Sequence, residues 1–233
     1  MKKMISRRDF LKVAGFSAAA LGLTACGGSG SSTAASTGST AASTGSAAAS
    51  GASVTLKLGF STNEEDPRAK GAQQFKEEVE EKTGGAVTVE LYPSGQLGGD
   101  ADLINSIALD SGTVDIIVTD ASNFATYDAK MGISALPFQF ETFDDAWAFM
   151  DSDIEAAAEE GLLAQNMRVL AHYCNGFRCV TNSKGPINSP DDMKGLLIRT
   201  PENPVIMATM TALGANPQPL SFSELYQALQ QKT

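Results

Sequence analysis

The sequence has 233 residues, with 17 Lys and Arg against 27 Asp and Glu and a formal net charge of −10. Five of the basic residues and one acidic residue lie in the first 25 positions, so the chain from Cys26 onward keeps 12 basic against 26 acidic groups, a net of −14. A field of that sign argues against nucleic acid as a partner, and any acidic ligand has to be captured by local basic groups.

Lys2, Lys3, Arg7 and Arg8 form a positive region ahead of an apolar run from Val13 to Leu23, which has the length of a signal peptide and is too short for a permanent membrane span. Ser6-Arg7-Arg8-Asp9-Phe10-Leu11-Lys12 resembles the twin-arginine address of the folded-protein export route, although Sec export is the other possibility. Leu23-Thr24-Ala25-Cys26 resembles a lipobox. Residues 1–25 therefore read as a signal peptide and Cys26 as the lipid attachment point, the alternative being ordinary cleavage beside an incidental cysteine. The expected location is extracytoplasmic, anchored by lipid to the outer face of the cytoplasmic membrane. Residues 26–53 are almost wholly Gly, Ser, Thr and Ala and read as a flexible linker. Val54 to Thr233 is long enough for one sizeable core or two small lobes, and no second transmembrane run follows.

Val54 to Leu58 alternates apolar and polar residues and leads into Gly59-Phe60 as a strand. Asp66 caps a helix with Pro67 at its first position; Ala69, Ala72, Phe75 and Val79 share one face, and Gly84-Gly85 stops it. Val87–Leu91 is a second strand, a helix from about Asp100 turns Leu103, Ile104, Ile107 and Ala108 inward, and Val114–Thr119 is a third strand. This alternation predicts an α/β fold with a mainly parallel sheet, whose ligands gather at the C-terminal strand ends. Ser61, Thr62 and Asn63 after the first strand, and Asp120, Ser122 and Asn123 after the third, are placed to line such a cleft or simply to cap and turn the chain. Helices are expected around Phe143–Met150, opened by Thr142 with Asp145, and Ile154–Gln165. Met167–Tyr173 and Phe177–Thr181 read as strands, Ser189-Pro190 opens a short turn, and Leu196–Arg199 is a further strand. Pro201 and Pro204 introduce a helix ending near Gly214, and Ser221 with Glu224 opens the last one.

Nothing in these elements carries catalysis. His172, the only histidine, sits in a predicted strand without a motif-fixed partner, and together with Cys174 and Cys179 it makes no recognised zinc spacing. No metal site, no cofactor and no phosphate-cradling glycine motif is read, so the protein is not expected to be an enzyme. Cys174 and Cys179 either close a disulfide across a turn at Asn175-Gly176 or remain buried thiols. Arg178 and Arg199 each lie among apolar residues in a strand pattern, where a half-buried guanidinium offers a planar fork to a carboxylate; surface-facing arginines are the plainer alternative.

The blocks GFRCVTNSKGPINSPDDMKGLLIRTPENP and LGANPQPLSFSELYQALQQ, with YPSGQLGGD and GTVDIIV ahead of them, resemble the signature of the DctP family of TRAP-transporter solute-binding proteins. The resemblance runs from about Val54 to Thr233. It implies a two-lobed, periplasmic-binding-protein-like clamshell, with an N-terminal lobe at 54–175 and a partial C-terminal lobe at 176–233. Such a protein closes as a monomer on a small organic acid (a dicarboxylate, sugar acid or related carboxylate) and delivers it to a TRAP permease in the membrane. On this likeness Arg199 pairs with the ligand carboxylate, Arg178 reaches the same group and Phe222 forms an aromatic wall. Asp120 sits where some members place an acidic residue against ligand hydroxyls, and Asn63, in the first cleft loop, is a further ligand-binding candidate. Family members continue past the last helix with a strand carrying a further ligand-contacting asparagine. On that comparison the second lobe is incomplete, and the sequence is expected to be a fragment or a truncated gene product. Two other readings stay open, a clamshell sensor signalling to a membrane kinase and a lipid-anchored enzyme.

Overall fold

The computed structural model describes residues 53–232, so the export signals, Cys26 and most of the linker lie outside the described residues. Strand β1 (Val54–Phe60) is the centre of a parallel three-stranded sheet in the order β2-β1-β3, with β2 spanning Val87–Tyr92 and β3 Ile116–Val118. Leu58 pairs with Leu91 on one side and Ile116 on the other. Parallel neighbours need crossovers, which α1 (Pro67–Lys82) and α2 (Asp100–Ala108) supply.

Asp66 caps α1 by accepting from the backbone N–H of Arg68, and Pro67 occupies the first helical position, where its missing N–H costs nothing. Ala69 and Ala72 on the inner face of α1 pack against Leu58, Phe60 and Val89, with Phe75 and Val79 beside them. Asp66→Ala removes this cap and leaves the half-buried Arg68 unpaired; the expected cost is about 1–3 kcal/mol, read from the denaturation midpoint. Gly59 lets α2 lie close on the sheet, because a Cβ there would stand 3.0 Å from Leu103 Cδ2.

A second cluster joins Ile104 of α2 to Met131, Ala158, Leu162 and Met167. Helix α4 (Asp153–Leu163) supplies Ala158 and Leu162 to it, and α3 (Phe143–Met150) precedes α4 in the chain. Thr142 and Asp145 form a reciprocal capping box on α3. Among the described residues no helix is long and apolar enough to cross a membrane.

The chain after α4 departs from the expected pattern. Residues 167–181 form no strand, although the alternation predicted two there. Leu170, Tyr173, Phe177 and Val180 are exposed, and no described strand pairs with this segment; alternation without a neighbour to accept its hydrogen bonds does not make a strand. His172 is therefore not a strand residue. Cys174 and Cys179 are exposed free thiols, so neither a disulfide nor a buried thiol is formed.

After a short 3-10 turn at Pro190–Met193, strand β4 (Leu197–Thr200), helix α5 (Pro204–Ala212) and strand β5 (Asn216–Pro219) make a parallel two-stranded unit. Sequence pattern missed β5 because it holds Pro217 and Pro219. Asn216 N–H donates to Leu196 and Leu220 N–H to Thr200, so the prolines occupy the alternate, outward positions. Helix α6 (Phe222–Gln231) follows; Ser221 meets Glu224 through its hydroxyl and makes no side-chain bond to the helix backbone.

Candidate functional site

The C-terminal ends of β1 and β3 meet the first turn of α2 at Asp100. Its carboxylate accepts from Ser61 Oγ at 3.0 Å and from Thr119 Oγ1 at 3.0 Å. An anionic side chain in the first turn also suits the positive end of the helix dipole. Asp120, just past β3, accepts from the N–H and hydroxyl of Ser122 and from Arg178 Nη2 at 2.7 Å. Burial alone would raise the Asp120 carboxyl; the Arg178 charge and the Ser122 hydrogen bonds outweigh it and hold the group below the usual carboxylate range.

From the other side, β4 delivers Arg199. Its Nε and Nη2 both donate to the Leu220 carbonyl, at 2.9 and 2.7 Å, and its guanidinium carbon lies 6.0 Å from the Phe222 ring centroid. That distance is the outer limit of a cation–π contact. Burial lowers the Arg199 pKa and the nearby positive charge of Arg178 lowers it further, against the pull of Asp100 and Glu202. A guanidinium stays protonated regardless, so the shift marks a position where positive charge is under-compensated.

Between these elements lies a cleft of about 280 Å³, lined among others by Asp100, Asn105, Asn123, Tyr127, Arg199 and Phe222. Such a volume suits a small molecule rather than a polymer. A larger depression of about 1030 Å³ runs along α1 and the β2 edge, but its basic lining is Lys70 and Lys76, and Lys76 is already bound to Glu80 and the Val89 carbonyl.

The structure thus brings Arg199 and Phe222 together at the cleft and pairs Arg178 with Asp120 beside it. Asn63 is elsewhere in character: it is exposed, and its Oδ1 accepts from the N–H groups of Glu65 and Asp66, turning the chain into α1. Asn123 lines the cleft and donates to Thr119 Oγ1. Three residues of the cleft lining, Asp100, Asn105 and Tyr127, went unread as site residues. Asp100 looked like a helix start, and Tyr127, which hydrogen-bonds Asn105, had no pattern to mark it. Arg68 forms a two-point pair with Asp66, at 2.9 and 3.1 Å. Burial opposes its charge, yet Asp66, Asp100 and Asp120 raise its pKa overall. A cation in the first turn of a helix faces the wrong end of the dipole, and the Asp66 carboxylate offsets this.

Residues 58–233 match the family described as DctP, bacterial extracellular solute-binding protein, family 7. The chain is 33% identical over 182 residues to the 2,3-diketo-L-gulonate-binding periplasmic protein YiaO of Escherichia coli K12, covering 78% of this chain and 55% of that protein. The crystal structure of the sugar acid binding protein DctPAm from Advenella mimigardefordensis with galactonate superposes with a TM-score of 0.73 at 31% identity, over 78% of this chain and 58% of that one. A TRAP periplasmic solute-binding protein from Sulfurospirillum deleyianum with bound succinate gives 0.72 at 32% identity, over 77% and 57%. The chain spans about half the length of the curated relatives it matches.

Proposed function

We propose, from the premise that this chain belongs to the DctP family of bacterial extracellular solute-binding proteins, that it captures a small organic acid outside the cytoplasm and delivers it to a TRAP-type permease. The observation that carries the reading is the convergence of Arg199, half-buried and feeling the charge of Arg178, on a cleft of small-molecule size. A ligand carboxylate between the two guanidiniums accepts hydrogen bonds from planar donors and removes their mutual repulsion. Phe222 forms the apolar wall, while Asn105, Asn123 and the Asp100 carboxylate offer donors and acceptors to hydroxyl groups. Asp120 holds Arg178 in place until the ligand competes for it, and Asn63 shapes the loop after β1. The relatives bound to galactonate and succinate make sugar acids and C4-dicarboxylates the ligand classes to try first.

In this reading residues 54–175 and 176–233 belong to the two lobes, the protein works as a monomer without cofactor or catalysis, and lipid on Cys26 tethers it to the outer face of the cytoplasmic membrane. The tether keeps the receptor at high effective concentration near the permease, so weak docking suffices. A thermal-shift panel of sugar acids, dicarboxylates and keto acids on the full-length protein tests the ligand class. At least one acid should raise Tm in a saturable way, by roughly 5–10 °C near 100 times its Kd. Stabilisation by no carboxylate would sink the proposal.

A further inference from the structure

Glu155, Ala158, Glu159 and Leu162 lie at i, i+3, i+4 and i+7 on α4, and all four are buried. Ala158 and Leu162 belong to the core, which leaves two carboxylates on a core-facing stripe. Glu155 is 0% exposed and neither of its carboxylate oxygens has a hydrogen-bond partner. A buried carboxylate normally survives only with a counter-charge, a full set of donors or a metal. His172 comes from the irregular segment after α4, with Nε2 2.5 Å from Glu159 Oε1. One donor atom from each of Glu155, Glu159 and His172 falls within 4.8 Å of the other two.

We infer that Glu155, Glu159 and His172 form a three-ligand site for a divalent transition-metal cation, with Zn²⁺ the best match. Carboxylate and imidazole donors sit about 2.0–2.2 Å from Zn²⁺, which places tetrahedral ligands roughly 3.3–3.6 Å apart, so on binding the 2.5 Å Glu159–His172 pair opens by about 1 Å and any pair near 4.8 Å closes by about as much. Two oxygens and one imidazole nitrogen suit Zn²⁺, Mn²⁺ or Co²⁺ better than Ca²⁺, which takes six to eight oxygens. The Glu159 and His172 side chains are 9% and 15% exposed, giving the ion a path in and a water room to complete the coordination. Burial pushes the Glu155 carboxyl up, His172 opposes this and Glu159 adds to it. The bound ion fastens α4 to the strap that runs on to Arg178, six residues beyond His172, and so steadies one of the two site arginines.

The test uses the purified full chain carrying Cys26→Ser, Cys174→Ser and Cys179→Ser, so that thiols do not bind the ion. It is stripped with EDTA and titrated with Zn²⁺, Mn²⁺, Mg²⁺ and Ca²⁺ under thermal-shift and equilibrium-dialysis readouts. One Zn²⁺ per chain and a Tm rise of roughly 5–10 °C at about 100 times Kd are expected. Glu155→Gln and His172→Gln should each weaken Zn²⁺ binding by at least about 100-fold, since loss of supporting residues alone costs 10–100-fold. Metal-free Glu155→Gln should be at least as stable as its parent, because the buried charge is gone; lost binding then does not reflect unfolding. Absence of stoichiometric transition-metal binding, a response to Mg²⁺ or Ca²⁺ alone, or binding unchanged in both variants would overturn the site.

Discussion

Arg199→Ala should weaken carboxylate binding by roughly 30- to 5000-fold while leaving the fold intact. A buried, hydrogen-bonded charge partner is worth about 2–5 kcal/mol when one side is truncated, and each 1.4 kcal/mol is tenfold in affinity. Stability should move little. The side chain's two hydrogen bonds go to one carbonyl, Leu220, and their loss is offset by relief from the Arg178 charge. Arg199→Lys should recover only part of the affinity, because an ammonium keeps the charge and loses the fork. Calorimetric titration separates the three proteins. If Arg199→Ala binds as the parent does, Arg199 is not the carboxylate anchor.

The largest loss of stability should come from Asn203, a residue with no contact to the cleft. It is 0% exposed; its Nδ2 donates to the Ser122 carbonyl at 2.9 Å and hydroxyl at 2.8 Å, while its Oδ1 accepts from the N–H groups of Val205 and Ile206. One side chain therefore caps α5 and ties it to the loop after β3 that also carries Asp120. Asn203→Ala loses the cap, about 1 kcal/mol, and strands buried polar groups of Ser122 at about 1–3 kcal/mol, for a total of roughly 2–4 kcal/mol. For a body of this size that is about 5–15 °C in Tm. Asn203→Asp keeps the acceptor and loses the donor, so it should fall as far, with a carboxylate set against the Ser122 carbonyl. A change below about 0.5 kcal/mol in both would show that this connection does not hold the two sheets' loops together.

The first half of the fold was legible because its signals are local and agree with one another. Asp66-Pro67 announces α1, the inward spacing of Ala69 and Ala72 fixes its buried face, and Thr142 with Asp145 opens α3. The segment at 167–181 shows where such reasoning stops: alternation describes one edge of a strand, whereas the strand itself exists only if another backbone lies beside it. β5 failed in the opposite sense, since its prolines argue against a strand, yet its ladder draws on N–H groups at the alternate positions, Asn216 and Leu220 among them.

The site was legible to the extent that charge had to be local in an acidic chain, which singled out Arg178 and Arg199, and the motif blocks assigned them a shared ligand group. Asp120 emerged as the partner of Arg178, a pairing that no spacing could give across 58 positions. Asn63 turns the chain into α1, a role that position alone does not separate from ligand contact, because the end of a strand is where both occur. Glu155 and Glu159 were legible in principle: they share one helical face with Ala158 and Leu162, and charge at core-facing spacing is a contradiction that asks for a partner.

The most direct test of carboxylate capture is a calorimetric titration of the full-length protein with the best-stabilising acid and with its uncharged analogue, the corresponding amide or alcohol. The predicted result is one acid bound per chain and at least about 100-fold weaker binding of the analogue, the loss expected when the half-buried Arg199 guanidinium is left without its anion. Equal affinity for the two, or no measurable binding of any acid, would contradict it.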